Sequence, residues 1–149
     1  MYYGDFMKIV IDADACPVTD ITLEIAEEKQ IPCTIVCDNA HYIVRDNAET
    51  VVVDKGADSA DLKIANSVLR GDIVVTQDYG LAALVLGKGA RAINQNGLIF
   101  SNENIETLLY SRFVSKKIRM SGGRTKGPAK RTAENDKAFR TNLLKLLEE

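Results

Sequence analysis

Five short runs of apolar, mostly β-branched residues alternate along this chain with segments of helical periodicity. The runs are KIVID (8–12), CTIVC (33–37), TVVVD (50–54), DIVVT (72–76) and ARAIN (90–94). They are nearly continuous rather than interleaved with polar residues, as is typical of strands that are covered on both faces of a sheet. The alternation therefore predicts an open parallel sheet with right-handed crossovers, in a three-layer α/β/α sandwich.

Helical patterns separate most of these runs and continue after the fifth one. Pro17 suits the first position of the first helix, and Ser101 or Asn102 suits the cap of the fourth. Residues 38–49 show no clear helix and are expected to form a loop or a single turn. No internal repeat is visible, so we expect one domain over residues 1–149. The predicted helices cover residues 17–30, 59–71, 79–89 and 102–118, and a fifth helix ends the chain.

Charge is unevenly divided between the body of the chain and its tail. Residues 1–110 hold 8 Lys and Arg against 17 Asp and Glu, a net charge of −9, whereas residues 111–149 hold 11 against 4, a net charge of +7. The glycine-rich segment RMSGGRTKGPAKRT (119–132) is predicted to be a flexible basic loop. An acidic body with a basic arm favours a cation site beside an anion-binding arm, although two solvated faces of different charge are the simpler alternative.

The end of the chain is predicted to be an amphipathic helix over residues 133–149. Its apolar stripe is expected to dock on the body or on a second subunit, as in a homodimer, rather than on a membrane. No apolar stretch approaches the roughly 20 residues of a membrane span. The first residues lack the features of a signal peptide, and the odd number of cysteines indicates free thiols, so we expect a cytoplasmic protein. The stripe consists of Phe139, Leu143, Leu146 and Leu147.

Several aspartates fall where the predicted strands end. Asp12 and Asp14 follow the first strand, Asp78 follows the fourth, and Asp58 and Asp61 begin the helix that leads into the fourth. If the first and fourth strands are neighbours, all five carboxylates converge on one cleft, at the edge where such sheets bind ligands. Clustered carboxylates need a compensating cation, and ligands that are all oxygen fit Mg²⁺ or Mn²⁺. Such an ion binds phosphate oxygens and acidifies water, which suits phosphodiester hydrolysis.

Each aspartate also has an ordinary structural explanation. Asp78 is a natural cap for a helix that starts at Tyr79, and Asp58 or Ser59 suits the cap of the helix containing Asp61. It is the joint placement of the acids at carboxyl ends, rather than their number, that favours a function. Asp20, Asp38, Asp46, Asp54 and Asp72 show that the chain also uses aspartate freely elsewhere.

Four segments carry a resemblance to a known family: DADACPV, KGADSADLKIA, VTQDYGLAA and GGRTKGPAKRT. From Met7 onward the chain resembles the YaiI/YqxD family of bacterial proteins, which is similar to PIN-like and NYN ribonuclease domains. The resemblance implies a five-stranded parallel sheet of order 3-2-1-4-5, in which strands one and four are adjacent. It also implies a Mg²⁺- or Mn²⁺-dependent nuclease, which we expect to be an endoribonuclease.

The same resemblance implies a role for each acid. Asp12 matches the acid after strand one, and Asp78 the acid after strand four. Asp61 resembles the helix acid of PIN domains, whereas Asp58 resembles the equivalent acid of NYN domains. Gly80 stands where many PIN domains carry a further acid. The implied metal ligands are Asp12, Asp58, Asp61 and Asp78, and the implied catalytic residues are Asp12, Asp61 and Asp78, with Asp14 in place of the missing charge.

Other residues are predicted to surround the cleft. Thr76 is expected to act as a hydroxyl partner that contacts the nucleic acid, and Asn94 and Asn96 are expected in a turn or in the core more than against a substrate. Cys16 is expected to be a packed thiol rather than a nucleophile. The arm would bind phosphates of a nucleic acid, with RNA as the expected partner and with little sequence preference. Its predicted contacts are Arg124, Lys126, Lys130 and Arg131.

Two other functions are compatible with the sequence. IVIDADACPV also resembles the D-x-D loop of haloacid dehalogenase-type phosphatases, in which Asp12 would be phosphorylated and Asp14 would be the general acid. That fold needs a downstream acidic pair and usually a cap domain, and neither is clear here. The third interpretation is a non-catalytic nucleic-acid-binding module, whose acidic cleft holds a structural ion or none.

Overall fold

The computed structural model describes residues 7–14, 16–56, 59–124 and 130–149. A single-turn 3₁₀ helix over Asn39–His41 lies in the segment predicted to be a loop or a single turn. The main elements are β1 (Ile9–Asp12), α1 (Thr19–Glu28), β2 (Cys33–Asp38), β3 (Glu49–Val53), α2 (Ser59–Ser67), β4 (Ile73–Val75), α3 (Tyr79–Gly87), β5 (Arg91–Ile93), β6 (Ile99–Phe100), α4 (Asn102–Met120) and α5 (Ala133–Leu147).

The sheet contains six strands in the order β3-β2-β1-β4-β5-β6. Strand β1 pairs in parallel with both β2 and β4, so the first and fourth strands are neighbours. The first five strands are parallel, but the prediction of a five-stranded sheet was wrong, because β6 adds an antiparallel edge strand beside β5. At two residues, β6 is too short to produce a recognisable sequence pattern.

Side chains of the sheet alternate between two cores, which confirms the three-layer arrangement. Ile9 and Ile11 point into the core that includes residues of α1 and α5. Val10 and Val74 point into the other core, which includes residues of α2, α3 and α4. The inner strands are therefore covered on both faces, as their nearly continuous apolar sequences predict, whereas the edge strand β3 leaves Val52 41% exposed.

The C-terminal stripe packs on the chain's own body. Phe139 and Leu143 are fully buried in the first core. The turn between β5 and β6 approaches α5 so closely that a Cβ at Gly97 would lie 2.6 Å from the carbonyl oxygen of Ala138, and Gly97 also has a positive φ of 86°. Only glycine fits there. Because the stripe is buried within one chain, it does not supply the homodimer contact that the sequence left open.

Several predicted boundaries differ from the structure. Pro17 lies in the turn before α1, because the first helical hydrogen bond runs from the Thr22 N–H to the carbonyl of Val18. Helix α2 ends at Ser67 rather than near residue 71, and the Asp72 carboxylate accepts the Leu69 N–H just beyond it at 2.8 Å. Helix α4 continues to Met120, so the predicted basic loop starts two residues later than expected.

No helix within the described ranges has the length and apolar character needed to cross a membrane.

Candidate functional site

An acidic cleft of about 510 Å³ lies at the carboxyl ends of the first four strands. Arg112 is the one cation among the described residues that line it. This concentration of like charge makes the cleft a strong attractor for cations. The aspartates that line it are Asp12, Asp14, Asp38, Asp54, Asp61 and Asp78.

A buried hydroxyl joins the two strands at the centre of this cleft. Ile11 pairs with Val75 across β1 and β4, so the next residues, Asp12 and Thr76, emerge side by side. The Thr76 hydroxyl donates to Oδ2 of Asp12 at 2.8 Å, and the N–H of Asp78 donates to the Thr76 hydroxyl oxygen at 3.0 Å. Thr76 is therefore a hydroxyl partner of the cleft, whereas its contact with a nucleic acid stays a prediction.

Asp78 caps α3 and also lines the cleft. As the N-cap of α3, its Oδ1 accepts the N–H of Leu81 at 3.1 Å. The same oxygen lies 3.6 Å from Nη1 of Arg112, which reaches the cleft from α4. A Cβ at Gly80 would lie 3.2 Å from this oxygen, so glycine leaves room for the cap. The capping interaction fixes the carboxylate at the edge of the cleft rather than removing it.

The surroundings of Asp12 disfavour its ionised form. Burial raises the pKa of its carboxyl group, the Thr76 hydrogen bond opposes that rise, and the nearby charges of Asp78 and Asp14 add to it. A bound cation would offset both the burial and the repulsion, since an opposite charge at short range favours the ionised carboxylate. Burial and the neighbouring carboxylates therefore both disfavour the ionised form of Asp12.

Of the three remaining predicted acids, two lie within the described residues and one does not. Asp14 and Asp61 line the cleft, as predicted. Asp58 lies outside the described residues, and so does Lys126 of the basic arm.

The described part of the basic arm does not line the cleft. Arg124 and Lys130 are exposed. The guanidinium of Arg131 donates to the carbonyl of Gln95 at 2.8 Å and to Oδ1 of Asn96 at 2.6 Å, and it also contacts the Asp136 carboxylate. Arg131 therefore holds the start of α5 against the turn between β5 and β6, and a phosphate contact by this arm stays a prediction.

Two other expectations concern side chains near this edge of the sheet. Oδ1 of Asn94 accepts the N–H groups of Asn96 and Leu98 at 2.9 and 2.8 Å, which is the expected turn role. Burial raises the pKa of the Cys16 thiol, and the residue packs against the first core. A thiol that is harder to ionise suits packing rather than nucleophilic attack.

Sequence reasoning missed three charged residues of the cleft. Asp38 ends β2 and Asp54 follows β3 at the same edge of the sheet, so the rule that identifies Asp12 also identifies them. His41 lowers the pKa of Asp38, mainly through a hydrogen bond between Nδ1 and Oδ1 at 2.9 Å. Arg112 had no sequence signal, because its position depends on how α4 packs against α3.

The donors of the cleft fit a hydrated divalent ion better than a fully protein-coordinated one. Among the described residues, no three His, Cys, Asp or Glu side chains are grouped closely enough to hold a metal ion. Mg²⁺, however, commonly binds through one or two carboxylates and keeps several waters. Asp12 and Asp78, joined through Thr76, are the carboxylates best placed for that kind of site.

Comparisons with known proteins agree on one family. The family model described as "Uncharacterized BCR, YaiI/YqxD family" matches residues 10–149. The UPF0178 protein of Ruminiclostridium cellulolyticum is 51% identical over 138 residues, covering 93% of this chain and 90% of the relative. That of Exiguobacterium sibiricum is 50% identical over 143 residues, covering 96% and 98%. The crystal structure of Rae1 (YacP) from Bacillus subtilis gives a TM-score of 0.44 at 16% identity, with 91% of each chain covered, which is too remote to inform function.

Proposed function

The chain belongs to the YaiI/YqxD family, and we propose that it is a metal-dependent nuclease that hydrolyses phosphodiester bonds in RNA. One observation carries the proposal: the Thr76 hydroxyl donates to the Asp12 carboxylate and accepts the backbone N–H of Asp78, so two acids at the ends of neighbouring strands are fixed in a cleft lined by further acids. The order of the five parallel strands supports it, since that order is the one the PIN-like resemblance implies.

The side chains of the cleft would contribute to such a reaction in different ways. A divalent ion, when bound, supplies positive charge for the phosphate and lowers the pKa of its water. Asp12 and Asp78 would hold that ion, with Thr76 keeping Oδ2 of Asp12 in place. The nearby charges of Asp14 and Asp61 would strengthen its attraction to the cleft.

Arg112 is placed to handle the substrate. Its guanidinium lies 3.6 Å from Asp78 and remains more than half exposed, at 59% of the side chain. An exposed ion pair of this length is weak, so exchanging it for a charge-assisted bond to a phosphate oxygen costs little. We infer that Arg112 would orient the phosphate of a substrate held at the cleft.

The proposal is tested by cleavage of labelled oligonucleotides. Single-stranded and hairpin RNA and DNA are incubated with wild type in Mn²⁺, Mg²⁺ or a chelator, beside Asp12→Asn and Asp78→Asn. Asn keeps an oxygen to accept the Thr76 hydroxyl or to cap α3, so both variants should fold. Asp46→Asn, an exposed aspartate that does not line the cleft, is the matched control.

We expect RNA cleavage that requires the metal, is abolished in both cleft variants and is unchanged in the control. Equal cleavage by wild type, Asp12→Asn and Asp78→Asn would reject the proposed site. An aspartyl-phosphate trapped on Asp12 would identify a phosphatase instead. Binding that survives the chelator, with no turnover of any oligonucleotide, would identify a non-catalytic binding module.

A further inference from the structure

The second half of α4 is a cationic surface that the acidic cleft does not include. Between Tyr110 and Met120 the sequence contains four cations and no carboxylate, whereas the first half of the helix contains Glu103 and Glu106. Each of the four cationic residues is exposed. They are Arg112, Lys116, Lys117 and Arg119.

Helical spacing places three of these cations on the face by which α4 packs on the body. Ile105 is buried in the second core and Leu109 packs against it. Arg112, Lys116 and Arg119 continue the same face at intervals of three and four residues, since such positions lie above one another on a helix. The face that is apolar in the first half of α4 is therefore cationic in the second half, beginning at the cleft with Arg112.

Exposed aromatic rings lie next to these cations. Tyr110 is 67% exposed and Phe113 is 53% exposed. Nζ of Lys117 lies over the Phe113 ring, 5.2 Å from its centroid. Cations beside exposed aromatic rings are the combination that proteins use for single-stranded nucleic acids, in which the phosphates pair with the cations and the bases stack on the rings.

We propose that this surface, the "α4 strip" formed by Tyr110, Arg112, Phe113, Lys116, Lys117 and Arg119, binds the single-stranded nucleic acid whose phosphate enters the acidic cleft. The inference rests on the proposed function and adds to it the path of the substrate. A cleft lined by six aspartates repels a polyanion, so binding needs a neighbouring cationic surface.

The charge of the α4 strip argues against a second copy of the chain as its occupant. Two copies that paired through this strip would bring like charges together, with no carboxylate between residues 110 and 120 to compensate them. Repulsion of that kind disfavours the contact. A nucleic acid, by contrast, carries one negative charge per nucleotide on its phosphodiester backbone, which complements the cations of the α4 strip.

Binding is measured by fluorescence anisotropy with a labelled single-stranded RNA of about 15 nucleotides in a chelator, so that no cleavage occurs. The charge variant is Lys116→Gln with Lys117→Gln. Its control, Lys29→Gln with Lys145→Gln, removes the same charge from exposed positions: Lys29 directly follows α1, and Lys145 lies in the last turn of α5. Log affinity against log salt should be flatter by about 1.4 in the charge variant, because each cation on a single strand contributes about 0.7.

The aromatic variant, Tyr110→Ala with Phe113→Ala, tests stacking separately. Loss of one stacked base should weaken affinity by about 5- to 140-fold while leaving the salt dependence unchanged. Both side chains are exposed, so the fold should be retained.

Two results would overturn the α4 strip as a nucleic-acid surface. One is binding by the charge and aromatic variants that equals the binding of the control. The other is a wild-type dimer in sedimentation that the aromatic variant dissociates, which would make the strip an interface between copies.

Cleavage separates this inference from the proposed function. If the charge and aromatic variants bind RNA more weakly than wild type but no protein cleaves it, only the nuclease proposal is refuted. If both variants bind and cleave RNA as wild type does, only the α4 strip is refuted.

Discussion

Replacing Thr76 by Val tests the connection at the centre of the cleft. Val has nearly the shape of Thr, so the change removes the hydroxyl without leaving a cavity. In the wild type the Thr76 hydroxyl donates to Asp12 at 2.8 Å and accepts the N–H of Asp78 at 3.0 Å, and the Val variant has neither hydrogen bond. Thr76 is 1% exposed, so water reaches this point poorly.

The expected cost follows from the chemistry of the lost bonds. A hydrogen bond to a charged group contributes about 1.5–3 kcal/mol, and a partly buried donor without a partner adds to the loss. We expect Thr76→Val to lower the free energy of unfolding by about 2–3 kcal/mol, which corresponds to about 4–12 °C in Tm for a chain of this size.

The effect of Thr76→Val should also depend on pH. The pKa of Asp12 is raised by burial, so ionisation of Asp12 reduces stability as pH rises through that pKa. The Thr76 bond lowers the pKa and therefore limits this loss. Without the hydroxyl the loss is larger, so the difference between wild type and variant should grow with rising pH and shrink in acid.

The measurement is urea unfolding of wild type, Thr76→Val and Thr76→Ser across the acidic and neutral range, in a chelator. Thr76→Ser keeps the hydroxyl and should behave much more like wild type. If Thr76→Val matched Thr76→Ser in stability at every pH, the hydroxyl would not connect Asp12 to Asp78 and our description of the cleft would be wrong.

Three further predictions concern residues around this centre. Phe139→Ala should cost about 3–5 kcal/mol in urea unfolding, because a fully buried ring between α5 and the body would leave a cavity; a loss under about 1 kcal/mol would mean that α5 is not part of the core. Asp72→Asn weakens the 2.8 Å pair with Lys8 and should cost about 1–3 kcal/mol while leaving oligonucleotide cleavage per folded molecule unchanged; a selective loss of cleavage would contradict its structural role. Arg112→Gln should change stability by less than about 1 kcal/mol yet weaken RNA binding in anisotropy, and unaltered binding would remove Arg112 from the substrate path.

The sequence predicts the parallel part of the fold because that part depends on local patterns. Nearly continuous β-branched runs identify five strands, and the helices between them require right-handed crossovers. Strand β6 escapes prediction because two residues form no pattern and because its pairing with β5 depends on the tight turn around Asn94. The sequence also leaves the packing partner of the C-terminal stripe undetermined, because an apolar helix face indicates burial but does not identify the surface that it packs against.

The candidate site was predictable to the extent that topology determines it. The carboxyl ends of parallel strands meet at one edge, which is enough to place Asp12 and Asp78 together once β1 and β4 are neighbours. The same logic extends to Asp38 and Asp54, which sequence reasoning passed over. Arg112 could not be found in this way, because a long helix brings it to the cleft from outside the sheet.

Binding of Mn²⁺ to the protein without any nucleic acid tests the central claim most directly. Electron paramagnetic resonance measures free Mn²⁺ during titration of wild type, Asp12→Asn, Asp78→Asn and the Asp46→Asn control. We expect wild type and control to bind alike, both cleft variants to bind at least about tenfold more weakly, and wild-type affinity to fall as acid protonates Asp12. Equal Mn²⁺ affinity in Asp12→Asn and wild type, or no binding by wild type at millimolar Mn²⁺, would contradict the account.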